Sequence, residues 1–188
     1  MTTFRIRKLA ELVDGWRRVS QVRAAVAELT EGVLKGKDAF LERRLPDELV
    51  RGRFPPGIES ATVLVVRPQS RTPGHKHPNS VHHLSVIEGG GSFHIGSRSD
   101  FLQPFDPAFP DRSVYVIPEG VPHAFESGHE PLVILTFHTV PLADLVEVAA
   151  ETEKPRDRAE KRTAPGRTRG KIGPGRRGDR DKGWRSKR

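Results

Sequence analysis

Four histidines crowd the stretch His75-Lys76-His77-Pro78-Asn79-Ser80-Val81-His82-His83-Leu84-Ser85-Val86-Ile87-Glu88-Gly89. Residues two apart on a β-strand share a face, so His75 and His77 can offer two imidazole nitrogens to one point. His82 opens an apolar run in which Leu84 and Val86 share its parity, while His83 faces the other way; only one of the two neighbours can reach that point. Downstream, Pro118-Glu119-Gly120-Val121-Pro122-His123 sets another histidine just after a proline- and glycine-rich turn. Four rings from three strands meet only if the fold assembles them.

Outward from this stretch the pattern is of short β-branched runs: residues 61–67, 81–88, 92–96, 113–117, 122–126 and 132–139. Glycine, proline and asparagine separate most of them, and no helical period intervenes, which predicts an antiparallel barrel or sandwich. Glu88-Gly89-Gly90-Gly91-Ser92 reads as a tight hairpin, since glycine accepts the positive φ of such turns. Residues 141–150 read as a closing helix.

Before the strands, Leu9, Leu12, Val13, Trp16, Val19, Val22, Val26 and Leu29 recur mostly at spacings of three and four, the period of an amphipathic helix over about 6–34. Residues 37–45 and 47–50 read as two short turns. The expected organisation is a helical segment over 1–57 packed on a barrel over 58–150, then an extension over 151–188.

That extension carries the charge. The chain has 32 Lys+Arg against 24 Asp+Glu; residues 151–188 hold 15 and 6 of them, leaving 17 against 18 for the body. A basic folded domain seeking phosphate backbones is thereby excluded. Residues 156–188 contain almost no aliphatic side chain, so burial cannot offset ordering entropy and disorder is expected. Such a segment reads first as a solubilising extension, with weak contact to RNA or DNA through arginine-glycine stretches such as Gly166–Gly170 as the alternative. The absence of cysteine excludes disulfides, thiolate-held metals and a cysteine nucleophile. With no apolar run near the roughly 20 residues of a membrane span, and no signal-like N-terminus, a cytoplasmic protein is expected.

The two histidine motifs resemble those of the cupins, small jelly-roll barrels that hold a divalent metal in the barrel mouth. The first cupin motif runs from a glycine through five residues to His-x-His, three or four residues, a glutamate, six residues and a glycine. Here His75 and His77 supply the pair, His82 takes the glutamate position and Gly89 the final glycine; that spacing selects His82 over His83. The second runs from a glycine through five residues to Pro-x-Gly, two residues, a histidine, three residues and an asparagine, and Pro118, Gly120 and His123 fall in register. The resemblance covers about residues 58–140. Gln69, Arg112 and Ser127 depart from the motif glycines and asparagine without touching the metal.

The resemblance implies His75, His77, His82 and His123 as ligands of a divalent ion: iron, manganese, nickel, copper or zinc. Four neutral imidazoles leave its full charge in place, which favours an anionic or enolisable small-molecule ligand. A metal-dependent dioxygenase-type oxidoreductase is expected, with a non-catalytic binding or sensing cupin and a metal-dependent isomerase as alternatives. A homodimer follows from the family habit. No catalytic base is evident, Glu88 and Glu119 being weak candidates. Removing residues 151–188 should abolish any retention on RNA, and retention by the full chain should fall steeply with salt; RNA binding by the truncated chain with an unchanged salt slope would overturn the division of charge.

Overall fold

The computed structural model describes residues 2–150. The expectations for residues 151–188 lie outside them. In chain order come α1 (Thr2–Trp16), α2 (Ser20–Lys35), β1 (Phe40–Arg44), the single turn α3 (Asp47–Val50), β2 (Ser60–Val66), β3 (His75–Lys76), β4 (His82–Glu88), β5 (Gly91–Ile95), β6 (Arg98–Leu102), β7 (Tyr115–Ile117), β8 (His123–Ser127), β9 (Leu132–His138) and β10 (Val148–Ala149). They form two five-stranded antiparallel sheets, ordered β1-β2-β9-β4-β7 and β10-β3-β8-β5-β6. The chain passes repeatedly from one sheet to the other, as the expected jelly roll requires.

The first sheet is buried on both faces. Its outer face, with Ala61, Val63, Val65, Val133, Leu135 and Phe137, packs against Leu9, Val13 and Trp16 of α1 and Val22, Val26, Leu29 and Val33 of α2. Its inner face, with Leu64, Val66, Leu84, Val86, Leu132 and Ile134, meets Phe93 and Phe125 of the second sheet. Trp16 stacks on Phe137 at 5.8 Å between ring centroids and tethers the helical layer. Each such side chain fully buried contributes about 1.5–3 kcal/mol. No helix among the described residues is long and apolar enough to cross a membrane.

Four local expectations are corrected. The single helix over 6–34 is two helices, because Val19 takes an extended conformation (φ −74°, ψ 134°) ahead of α2; the apolar period continues across the break because both helices bury their stripe in one core. Residues 40–44, expected as a turn, are edge strand β1, whose Glu42, Arg43 and Arg44 disguise it as polar surface. The glycines after β4 make no hairpin: β4 lies in one sheet and β5 in the other, and Gly89-Gly90 carry the chain between them. The true hairpin is β5–β6, where Ile95 pairs with Arg98. Residues 141–150 are a 3-10 turn (Leu142–Asp144) and then β10, not a helix.

Gly89 makes the crossing passable. Its φ is +72°, and a Cβ there would meet the Pro131 carbonyl oxygen at 2.0 Å. Gln69, where the first cupin motif has glycine, also has positive φ (54°). Gly89→Ala should destabilise the protein by about 2 kcal/mol or more, since the left-handed penalty and the backbone collision add. Denaturant unfolding checks this, and an unchanged midpoint would remove Gly89 from this role.

Candidate metal centre

Strand register builds the centre. His75 of β3 lies directly opposite His123 of β8 in one sheet, and His82 of β4 opposite His138 of β9 in the other. His77, just past β3, sits between the pairs, its ring centroid 5.0 Å from His75, 5.3 Å from His123, 5.4 Å from His82 and 4.9 Å from His138. All four residues named in the sequence thus come together. His83 points away toward the helices, where it is buried.

His138 is a fifth member that the sequence reading missed. It stacks on His82 at 4.5 Å with 24° between planes. Two overlapping triads bring their ring nitrogens within 4.8 Å of one another: His75, His77 and His123, and His77, His82 and His138. The available signal was parity, since His138 shares a face with Thr136, Ile134 and Leu132. Parity alone could not say which face is interior, because every residue of β9 is buried. His94, by contrast, lies outside the cluster, between Ser99 Oγ (2.8 Å) and Glu126 Oε2 (2.9 Å), and His129 lies in the turn between β8 and β9, away from the rings.

Backbone carbonyls set the tautomers. His75 Nδ1–H donates to Pro73 (3.1 Å), His77 Nδ1–H to Val146 (3.3 Å) and His123 Nδ1–H to Val121 (3.0 Å). A carbonyl only accepts, so these rings keep the Nε2 lone pair, the arrangement in which imidazole ligates metals. His82 Nδ1 lies 3.2 Å from His123 Nε2, and His82 Nε2 is buried without a hydrogen-bond partner. Such an orphaned nitrogen costs free energy unless a cation or donor meets it. The donor set fits an ion that accepts imidazole, and the cluster is compatible with a metal site.

His75, His77, His82 and His138 line a cavity of about 80 Å³ together with Phe40, Glu42, Thr136, Phe125, Leu142 and Glu147, and His123 lies outside that lining. A single water needs about 10–15 Å³, so the space suits a small ligand. Residues 142–150 strap its mouth: Asn79 Nδ2 donates to the Asp144 carbonyl (2.7 Å) and Asn79 Oδ1 accepts from the Val146 amide (3.1 Å). Glu88 and Glu119 are exposed and outside this lining; the carboxylates of the cavity are Glu42 and Glu147.

No protein-family model and no curated protein matches the chain. Solved structures do. Salicylate 1,2-dioxygenase from Pseudaminobacter salicylatoxidans superposes with a TM-score of 0.52 at 12% identity, over 69% of this chain and 38% of that one. A single-site mutant of that dioxygenase gives 0.51 at 16%, over 68% and 37%. An uncharacterised protein from Klebsiella pneumoniae with a double-stranded β-helix domain gives 0.47 at 16%, over 62% and 84%. This chain has the cupin fold. It spans well under half of the dioxygenase, and identities this low speak to the cupin barrel alone.

Burial holds the inner histidines of the barrel neutral. It lowers the pKa of His77, with His75 adding repulsion, and lowers His82 well below the ordinary value, with His138, His123 and His77 adding to it. His123 and His138 are both pushed to about 3, again chiefly by burial, and His83 to about 4. Below the ordinary value of 6.5 the unfolded chain takes up protons that the folded chain refuses. Stability is therefore full above that pH and is lost progressively as pH falls toward the folded values. The thermal midpoint of metal-free protein should drop steadily on acidification from pH 6.5; a flat profile would contradict buried neutral rings.

Proposed function

We propose that this chain is a divalent-metal-dependent cupin, a dioxygenase-type oxidoreductase that acts on a small enolisable or anionic substrate. The observation that carries the reading is the clustering of five imidazoles, three of them oriented by backbone carbonyls, beside a small cavity that four of them line. His75, His77, His82 and His123 hold the ion, and His138 flanks them against His82. When bound there, a divalent ion supplies Lewis acidity toward a substrate oxygen and, where it is iron, manganese, nickel or copper, access to redox chemistry.

The chain's own residues do the rest. The Pro73, Val146 and Val121 carbonyls aim the rings and keep their protons on Nδ1, away from the ligating nitrogen. Phe125, packed edge-on against His82 (6.1 Å) and His123 (5.8 Å), and Phe40 keep bulk water from the inner wall. Leu142 and Leu145 of the strap do so from the mouth. A small ligand is thereby held in one orientation in a dry site, which is how an enzyme removes the entropic part of a barrier.

Elemental analysis of protein purified without added metal should find about one divalent ion per chain. His77→Ala, which removes the ring shared by both triads, should weaken retention by at least about tenfold, while His94→Ala should not. Oxygen uptake by the loaded protein with a panel of β-diketones and catechols should occur aerobically, with no conversion under anaerobic conditions. Anaerobic turnover would replace the oxygenase by an isomerase, and a chain that retains no ion would end the reading.

A further inference from the structure

We propose that Glu42 is the proton acceptor for the ligand of the histidine cluster, and that the ligand class is one that enters with an acidic hydroxyl, an enol or a catechol, rather than a fully ionised dicarboxylate. This rests on the metal-centre reading and narrows it.

The placement comes from β1. Along this edge strand Leu41 joins the core beneath the helices and Arg43 reaches Glu28 of α2 (2.6 Å), while Phe40 and Glu42, of the opposite parity, line the cavity. Glu42 pairs with Leu64, whose side chain belongs to the barrel interior. An acidic residue on that face is out of keeping with its apolar neighbours, and Glu42, at the open end of the cavity, is exposed to solvent.

Its hydrogen bonds are polarised in one direction. Thr62 Oγ1 donates to Glu42 Oε1. Thr62 has a single hydroxyl proton, so across its 2.5 Å contact with Thr136 Oγ1 it must accept. With Glu42 ionised, two buried hydroxyls donate in series toward its Oε1, which leaves Oε2 for a proton from elsewhere. Thr136 stands two residues before His138 on the same face of β9, which places this relay beside the rings. Burial raises the carboxyl above its usual range; the Thr62 bond opposes this, the Glu147 charge reinforces it, and His75 opposes it. Glu42 is accordingly shifted toward a stronger base than a glutamate at its ordinary value.

The charge of the cavity selects the ligand. The lining contains Glu42 and Glu147, imidazoles, and neither lysine nor arginine. A divalent ion and two carboxylates cancel. A dianion entering such a site brings uncompensated charge into low dielectric, whereas a ligand with a neutral hydroxyl does not. In the step proposed, the ligand O–H bond breaks, its proton forms an O–H bond at Glu42 Oε2, and the electron pair stays on the ligand oxygen. No oxidant or reductant is consumed.

The test uses the full metal-loaded chain with two probes, 4-nitrocatechol and oxalate. Calorimetric titration in buffers of different ionisation enthalpy counts protons given to solvent, and the absorbance of bound 4-nitrocatechol reports its ionisation. Glu42→Gln should keep its metal, bind 4-nitrocatechol about tenfold more weakly and release measurably more protons to buffer than the unaltered chain. Oxalate should bind the unaltered chain poorly and Glu42→Gln several-fold better, and Glu147→Gln should leave the proton count unchanged. An unchanged count in metal-replete Glu42→Gln, a change in Glu147→Gln instead, or failure of the loaded chain to bind 4-nitrocatechol overturns the assignment while the metal centre stands. Failure to retain metal at all ends both readings.

Discussion

Cross-strand register is the constraint on which this molecule depends. His75 faces His123 and His82 faces His138 because two antiparallel ladders, in different sheets, are in register at these positions, the one irregularity of β4 against β9 falling beyond Val86. A slip of one residue in β4 would turn His83 inward, carry Leu84 and Val86 out of the barrel and leave His82 among the apolar side chains under α1. The same register that fills the barrel with aliphatic side chains thus delivers the rings to its open end. Stability and site are two consequences of one alignment.

The helical layer protects that alignment. β2 and β9 are buried along their whole length, with the helices on one side and the second sheet on the other. Central strands clad on both faces cannot shift without exposing one of two cores. β1 at the edge escapes this rule and carries charge, which both blunts the edge and leaves a carboxylate free for the cavity.

Inside the barrel the site is rich in electron pairs and poor in positive charge. His77, His82, His123 and His138 are held uncharged by burial, three rings of the cluster are anchored by carbonyls that determine which nitrogen is free, and two carboxylates look on from the mouth. Protonating a buried ring would relieve the crowding of lone pairs but would strand a charge in a dry space. A coordinated cation satisfies the nitrogens without that cost.

Much of this was legible in the order of residues. The change from a period of three to four to short runs with glycine and proline breaks separates helices from strands, and the spacings about His75, His77, His82, Gly89, Pro118, Gly120 and His123 are local and so survive in one dimension. What escaped was whatever depends on which elements become neighbours. Gly89-Gly90 look the same whether they close a hairpin or cross between sheets. β1 reads as polar surface because only one of its faces meets a core. His138 sits in a strand apolar on both sides, whose inward face has no mark in the sequence. Glu42 lies 33 residues before His75 in the chain, outside either motif. The sequence by itself determined the strand content, the spacing of four rings and the separation of a basic extension from a near-neutral body, since these rest on periodicity and composition. The fifth ring, the carboxylates of the cavity and the pairing of sheets were decided only in three dimensions, because contact between residues distant along the chain is a property of packing.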